Sequence, residues 1–237
     1  MLIHRARDLV TARVTLILAT LLLVVHGVVE VCGGPEGVSA WYLTFGLSRE
    51  GLLQGQVWQL FTYGFLHGDW LHLGLNLLAL LAVGARLERI GGPEMVLKTV
   101  AVGLLGGGVF HVALSGSDSQ VLVGVSGAVF AGVLCLSGIS PGSRMWPLPI
   151  SGKNFGYGVL IASAVLASLN PRLRLGDWSD WGRQLDDLGG GLVFSTSHAC
   201  HLGGALAGLV AAHRLLRPRV SLAQLQADRR RREGPCG

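Results

Sequence analysis

The sequence predicts an all-α polytopic membrane protein, a bundle of six transmembrane helices. Half of its 237 residues are hydrophobic, only 14% are charged, and the mean hydropathy is +0.52. Such values are too apolar for an ordinary soluble domain of this length. Six segments also approach the roughly 20 apolar residues that a helix needs to cross the hydrocarbon core. The uneven distribution of basic residues between these segments is a third indication.

The six predicted spans cover residues 10–31, 67–86, 95–115, 121–140, 154–170 and 194–214. The first could be mistaken for a signal peptide, but its apolar run from Val14 to Val31 is long and lacks a clear small-x-small cleavage site. We therefore predict a retained span.

The 36 glycines lie largely within and between the apolar runs, which predicts helices that approach one another closely. The four cysteines have no metal-ligand spacing and predict no disulfide framework.

The basic residues predict an orientation for this bundle. An even number of spans puts both termini on one side, and the segments on that side hold 15 of the 19 lysines and arginines. The positive-inside rule then makes that side the cytoplasm. We predict a membrane domain over 1–216 and a basic cytoplasmic tail over 217–237. Nucleic-acid binding through Arg229–Arg232 is an alternative, but a run of arginines after a last span is more often an anchor, so we expect no nucleic-acid partner.

Two connections on the opposite, outer side are long. Residues 32–66 combine aromatic residues and glycines with few charges, which suits a loop half-embedded in the membrane interface. Residues 171–193 carry four aspartates and three consecutive glycines. This composition predicts a mobile segment that can serve as a lid.

Strongly polar side chains lie within three of the predicted spans, where they are costly and indicate function. In the second span His72 and Asn76 are four residues apart and share one helical face. They can form hydrogen bonds to other helices, or they can present two donors to a common point. In the fourth span Ser126 stands between Gly124 and Gly127. A lone membrane serine is usually structural, because it bonds back to its own helix.

The sixth span carries His201 one turn before Gly204, and Gly204 with Gly208 forms a stripe of small residues. A helix with this stripe can press against the glycine-flanked serine of the fourth span. His198 and His201 could instead bind a metal or haem, but the sequence supplies no third ligand. We expect no metal and no cofactor. Three further histidines are isolated and receive no role: His26, His111 and His213.

Taken together, these residues resemble the rhomboid family of intramembrane serine proteases. The ordered motifs are H-x4-H-x3-N at His67, His72 and Asn76, G-x-S-G at Gly124 to Gly127, and H-x2-G-x3-G at His201, Gly204 and Gly208. The stretch from Gly55 to Thr62 is similar to the family's tryptophan-arginine element, although Gln59 stands where the family usually has arginine. Leu87-Glu88-Arg89 with Gly92 follows the second span as in many members.

The resemblance implies that Ser126 is the nucleophile and His201 the base of a catalytic dyad. His198 becomes a bystander, because only His201 has glycine at both +3 and +7. The side chains of His72 and Asn76, with the backbone N–H of Ser126, would stabilise the oxyanion. Structural support would come from His67, Gly124, Gly127, Gly204 and Gly208. The implied substrate is the transmembrane helix of another protein, cut near its outer end within the lipid bilayer.

Two other functions are compatible with a helical membrane protein. A non-enzymatic relative would bind transmembrane helices without cutting them. A small-molecule transporter would show inverted repeats with broken helices in two halves, and none is visible in the sequence. The compact six-span chain predicts a prokaryotic plasma membrane as the location, with both termini cytoplasmic.

Overall fold

The described residues form helices and no extended strand. A computed structural model describes residues 11–114, 120–144, 149–215 and the single residues 226, 227 and 229. The helices are α1 (Arg13–Phe45), α2 (Arg49–Leu53), α3 (Gln59–Thr62), α4 (Trp70–Leu114), α5 (Ser126–Ile139), α6 (Gly152–Ser168), α7 (Asp177–Leu188) and α8 (His198–Leu215), with single 3-10 turns at Tyr63–Phe65, Pro171–Leu173 and Val193–Ser195. The all-α class is confirmed for this part of the chain. Most of the predicted tail over 217–237 lies outside it.

Five helices coincide with the six predicted spans. The second and third spans form one element, α4, whose backbone turns at Gly92 with φ 75° and ψ −178°. Glycine suits this conformation because it has no Cβ to clash. We call residues 70–91 the first limb and residues 93–114 the second limb of α4. Among the described residues, two helical stretches are long and apolar enough to cross a membrane, Arg13–Gly33 and Trp70–Leu114. The count of six spans therefore stays a prediction.

Helix α1 extends further than the sequence predicts. We predicted a loop from residue 32, and this was wrong, since the helix continues to Phe45. Its last carbonyl groups are all hydrogen-bonded, as a stable helix end requires. Gly46 donates its backbone N–H to Tyr42, and three side chains satisfy the next three residues. These side-chain donors are Gln59 to Leu43 (3.1 Å), Trp58 to Thr44 (2.9 Å) and Thr62 to Phe45 (2.6 Å). Tertiary capping thus overrides the local sequence signals.

The connection 171–193 is largely helical. It contains the amphipathic helix α7 between two 3-10 turns. Trp178 at the start of α7 donates to the Ser168 hydroxyl at 3.2 Å, and Asp186 near its end accepts the backbone N–H of Phe194 at 3.0 Å. These contacts tie α7 to the end of α6 and to the 3-10 turn before α8. That the segment is a mobile lid stays a prediction.

The centre of the bundle is a contact between the second limb of α4, α5 and α8. Glycines make this contact close. A Cβ on Gly103 would lie 2.6 Å from the Cα of Ala128, and one on Gly106 would lie 2.7 Å from the carbonyl oxygen of Gly203. Contacts this short leave no room for a side chain. Small residues thus bring the three helix backbones together, as is typical of helix packing in membranes.

Candidate active site

Ser126 is the first residue of α5, and a short extended segment leads into it. Leu47 and Leu122 pair as an antiparallel bridge with hydrogen bonds of 2.9 and 2.7 Å. The backbone N–H of Gly124 then donates to the Tyr63 carbonyl at 2.9 Å. Gly124 has φ 114°, a conformation that side chains rarely allow. The chain can therefore turn sharply two residues before Ser126.

Ser126 and His201 meet between α5 and α8. The Oγ of Ser126 lies 2.9 Å from the Nε2 of His201, a normal hydrogen-bond distance. The close approach depends on glycine, because a Cβ on Gly204 would overlap the backbone of Gly127, including its carbonyl oxygen. A Cβ on Gly208 would overlap the backbone of Ala131 in the same way. The predicted stripe of small residues thus faces α5, the helix that begins with Ser126.

An aromatic ring fixes the plane of the His201 imidazole. The Phe130 ring stacks on it with centroids 4.1 Å apart and planes inclined by 6°. Sequence reasoning missed Phe130, although it follows Ser126 by four residues and so shares its helical face. That spacing was the available signal. The stack limits rotation of the imidazole and keeps Nε2 directed at Ser126.

His72 and Asn76 lie over the segment that precedes Ser126. A Cβ on Gly124 would be 2.8 Å from Nε2 of His72 and 3.9 Å from Nδ2 of Asn76. The Nδ1 of His72 accepts the Gly68 N–H at 3.5 Å, which favours the tautomer with the proton on Nε2. Asn76 donates one amide N–H to the His72 carbonyl at 3.0 Å. Within the described part of the chain, its second N–H keeps its donor capacity. Both side chains therefore present donors beside Ser126.

His67 contacts the same segment from the loop before α4. Its Nε2 accepts the backbone N–H of Val125 at 3.5 Å, and its ring centroid lies 5.1 Å from that of His72. Its carbonyl accepts the Tyr42 hydroxyl at 2.6 Å. Asp69 then accepts the backbone N–H of His72 at 2.7 Å, as a residue that caps the start of a helix does. These bonds link α1, the start of α4 and the serine segment.

His198 bonds to the loop before α8. Its Nε2 lies 2.7 Å from the Val193 carbonyl, and its ring meets Phe194 edge-on at a centroid distance of 5.5 Å. It also meets the His201 ring edge-on at 5.7 Å. His198 is thus a neighbour of His201, while only His201 contacts Ser126. No group of three His, Cys, Asp or Glu side chains suited to a metal occurs among the described residues.

Gln59, the one departure from the family pattern, is fully buried under the end of α1. Its carbonyl oxygen accepts the Ser48 N–H at 3.2 Å while its amide donates to Leu43 and to Gln56. A Cβ on Gly51 would clash with the Gln59 amide, so Gly51 provides the space for this side chain. The departure therefore leaves the capping of α1 intact.

The fold and this geometry define a helical bundle with a serine–histidine pair at the junction of its central helices. Comparison with known proteins agrees with that class. The rhomboid domain model matches residues 54–218, well over half of the chain. The chain belongs to the rhomboid family and is accordingly a membrane protein.

Three relatives give local similarity. The chain is 33% identical over 84 residues to RHOMBOID-like protein 5 and 41% identical over 69 residues to Rhomboid-like protein 16, chloroplastic, both from Arabidopsis thaliana. It is 36% identical over 91 residues to human Rhomboid-related protein 3. These stretches cover 35%, 29% and 38% of this chain and 27%, 21% and 22% of the relatives. The relatives are eukaryotic and one is chloroplastic, so they give no support to the predicted prokaryotic membrane.

Proposed function

We propose that this protein is an intramembrane serine endopeptidase that cuts transmembrane segments of other proteins with a Ser126–His201 dyad. The observation that carries the proposal is the distance of 2.9 Å between Ser126 Oγ and His201 Nε2 in a chain of the rhomboid family. This family comprises intramembrane proteases and also inactive relatives. The presence of both side chains in contact favours the active form.

In the proposed reaction neutral His201 accepts the hydroxyl proton as Ser126 Oγ attacks the substrate carbonyl. The tetrahedral adduct collapses to an acyl-enzyme, and the imidazolium returns the proton to the leaving amine. Water then attacks the ester, with His201 again as base. Stacking on Phe130 supports this role, because it keeps one ring nitrogen directed at the serine without a third acidic group.

The oxyanion that forms in each step needs hydrogen-bond donors fixed in advance. We assign this role to His72, Asn76 and the backbone N–H of Ser126. Support comes from the position of both side chains over Gly124 and from the start of α5 at Ser126, since the first N–H groups of a helix have no partner within it. The positive end of the helix dipole adds to the attraction.

The length of α5 supports access of water to the dyad. Its 14 residues span about 21 Å, less than the roughly 30 Å of a hydrocarbon core. With six spans and both termini in the cytoplasm, the Ile139 end of α5 faces the cytoplasm. Ser126 then lies about 10 Å below the outer surface of the core. The polar residues around it can hold water at that depth.

A transmembrane substrate must unwind before it can be cut, because a helix hides its carbonyl groups in hydrogen bonds. Substrates should therefore carry small or helix-breaking residues near the outer end of the span. Such a segment can extend beside Ser126 and expose one carbonyl to attack.

The test is turnover in liposomes that contain purified protein and a single-span fluorescent reporter with a Gly-Ala-Pro segment near one end. We expect cleavage by the wild type and none by Ser126→Ala or His201→Ala. A reporter with leucines in place of the Gly-Ala-Pro segment should resist cleavage.

Two outcomes contradict the proposal. Cleavage that persists in Ser126→Ala assigns the nucleophile elsewhere. A wild type that retains the reporter intact, shown by co-purification, is a binding protein and not a protease.

A further inference from the structure

His111 lies near the end of α4 and is almost completely buried, with 1% of its surface exposed. Both of its ring nitrogens have partners. Nδ1 lies 2.9 Å from the hydroxyl oxygen of Ser197, and Nε2 lies 3.2 Å from the carbonyl oxygen of Gln120. One imidazole therefore contacts two segments that are far apart in the sequence.

These two segments lead directly into the dyad. Gln120 begins the extended stretch that forms the Leu47–Leu122 bridge and reaches Ser126 six residues later. Ser197 precedes the first residue of α8, the helix that carries His201. His111 thus lies between the segment that positions the nucleophile and the segment that positions the base.

The chemistry of the partners sets the tautomer of His111. A carbonyl oxygen can only accept, so Nε2 carries the proton and donates it to Gln120. Burial favours the neutral ring, so Nδ1 has a lone pair that accepts the Ser197 hydroxyl proton. The ring therefore imposes a direction on the Ser197 hydroxyl.

That direction is the one α8 needs. The Ser197 hydroxyl oxygen, having donated its proton to His111, accepts the backbone N–H of Cys200 at 3.3 Å. This is the bond of an N-cap residue, which satisfies a free N–H in the first turn of a helix. The Ser197 carbonyl accepts the backbone N–H of His201 itself at 3.2 Å. The cap therefore fixes the turn from which the imidazole of His201 projects.

We propose that His111 is a positioning residue that holds the segments of Ser126 and His201 in register through its two ring nitrogens. The inference rests on the proposed protease function and deepens it. His111 does not touch the reacting atoms, and its burial keeps it from the substrate. Because displacement of reacting groups by about 1 Å can reduce a rate 10²-fold, loss of both bonds should be visible in catalysis.

Five variants test the two bonds separately with the liposome reporter. His111→Ala loses both bonds and should lower kcat by about 10- to 100-fold with KM within about twofold. His111→Asn can replace Nδ1 and keep the Ser197 bond, and His111→Gln can reach the position of Nε2 and keep the Gln120 bond. Each should retain more activity than His111→Ala. Ser197→Ala removes the partner of Nδ1 and leaves the Gln120 bond, so it should lower kcat about as much as His111→Gln. Ser197→Thr, which keeps a hydroxyl, should retain wild-type kcat.

The matched control is His213→Ala, which removes an exposed histidine bonded to the Leu209 carbonyl at the far end of α8. It should leave kcat unchanged. An unchanged kcat in His111→Ala would overturn the inference, and so would a rise in KM with constant kcat, because that result would place His111 at the substrate.

A spectroscopic measurement separates this inference from the proposed function. ¹⁵N spectra of histidine-labelled protein in nanodiscs, assigned by the signals lost in His111→Asn, should show a protonated Nε2 and an unprotonated Nδ1 for His111. The opposite tautomer, or a doubly protonated ring, overturns the inference even in an active enzyme. If His111 shows the expected tautomer but the protein does not cleave the reporter, the hydrogen bonds of His111 are upheld and the proposed protease function is contradicted.

Discussion

The first limb of α4 carries polar side chains at both ends, and the two ends use them differently. Near its end, Glu88 accepts three hydrogen bonds from the start of α1: the backbone N–H groups of Val14 (3.0 Å) and Thr15 (2.9 Å) and the Thr15 hydroxyl (2.8 Å). About 18 to 24 Å earlier along the helix, Asn76 and His72 direct donors at the space above Gly124.

This difference separates polar residues that stabilise the fold from those to which we propose a catalytic role. The Glu88 carboxylate caps the N-terminus of α1, where the helix dipole also favours a negative charge. Its hydrogen-bonding capacity is used within the fold. At the Ser126 end, the proposed mechanism uses the donor capacity of His72 and Asn76 for a charge that arises only during reaction. The role of a polar residue in a membrane bundle can thus be inferred from its hydrogen-bond partners and from the donors or acceptors that it leaves unused.

The largest effect on cleavage within the first limb of α4 is expected from Asn76→Ala. We expect cleavage to fall by about 10²- to 10³-fold, the usual result of removing one oxyanion donor. Initial rates in liposomes measure it, with Asn154→Ala, an exposed asparagine at the start of α6, as the control. If the fraction of activity lost equals the fraction of protein that is unfolded, Asn76 acts only in packing.

Gly204→Ala tests whether the dyad depends on close packing of α5 and α8. The new methyl group would overlap the Gly127 backbone, so the helices must separate. We expect destabilisation by about 1–3 kcal/mol and a loss of about 10²-fold in activity. Thermal unfolding and reporter cleavage measure the two effects.

The matched control for Gly204→Ala is Gly158→Ala in α6, where a Cβ meets nothing within 4 Å. This change should be neutral or slightly stabilising, since alanine is the better helix former. Equal behaviour of the two variants would contradict the packing that we describe.

Glu88→Gln should lower the stability of the fold with little effect on cleavage, the opposite of Asn76→Ala. The neutral amide keeps one acceptor oxygen and loses the charge, so we expect destabilisation by about 1–2 kcal/mol. Cleavage per folded molecule should stay within about twofold of the wild type. The control Glu94→Gln breaks an exposed pair with Lys98 (2.7 Å) and should change stability by less than about 1 kcal/mol.

His198→Gln gives the smallest effect on catalysis. It removes an imidazole that bonds to the Val193 carbonyl, so we expect a change in kcat of less than about threefold and a loss of about 1 kcal/mol in stability. The same substitution at His201 should abolish cleavage. Comparable losses at the two positions would contradict the assignment of the base.

The sequence predicted the helical class and the contact between Ser126 and His201, because ordered motifs on alternate helices carry both. It did not predict that α1 continues to Phe45, since Gln59, Trp58 and Thr62 cap it from a distant segment. It also left His111 without a role. The two partners of that ring, Ser197 and Gln120, become neighbours only when α4, α5 and α8 are packed, so no local pattern reveals them.

The most direct measurement is covalent labelling of the purified protein with a fluorophosphonate, followed by peptide mass mapping. A serine hydroxyl is a weak nucleophile until an adjacent general base activates it. We therefore expect one adduct, on Ser126, which disappears in Ser126→Ala and falls to background in His201→Ala. An adduct on another serine, or labelling of Ser126 that persists without His201, would contradict the Ser126–His201 dyad.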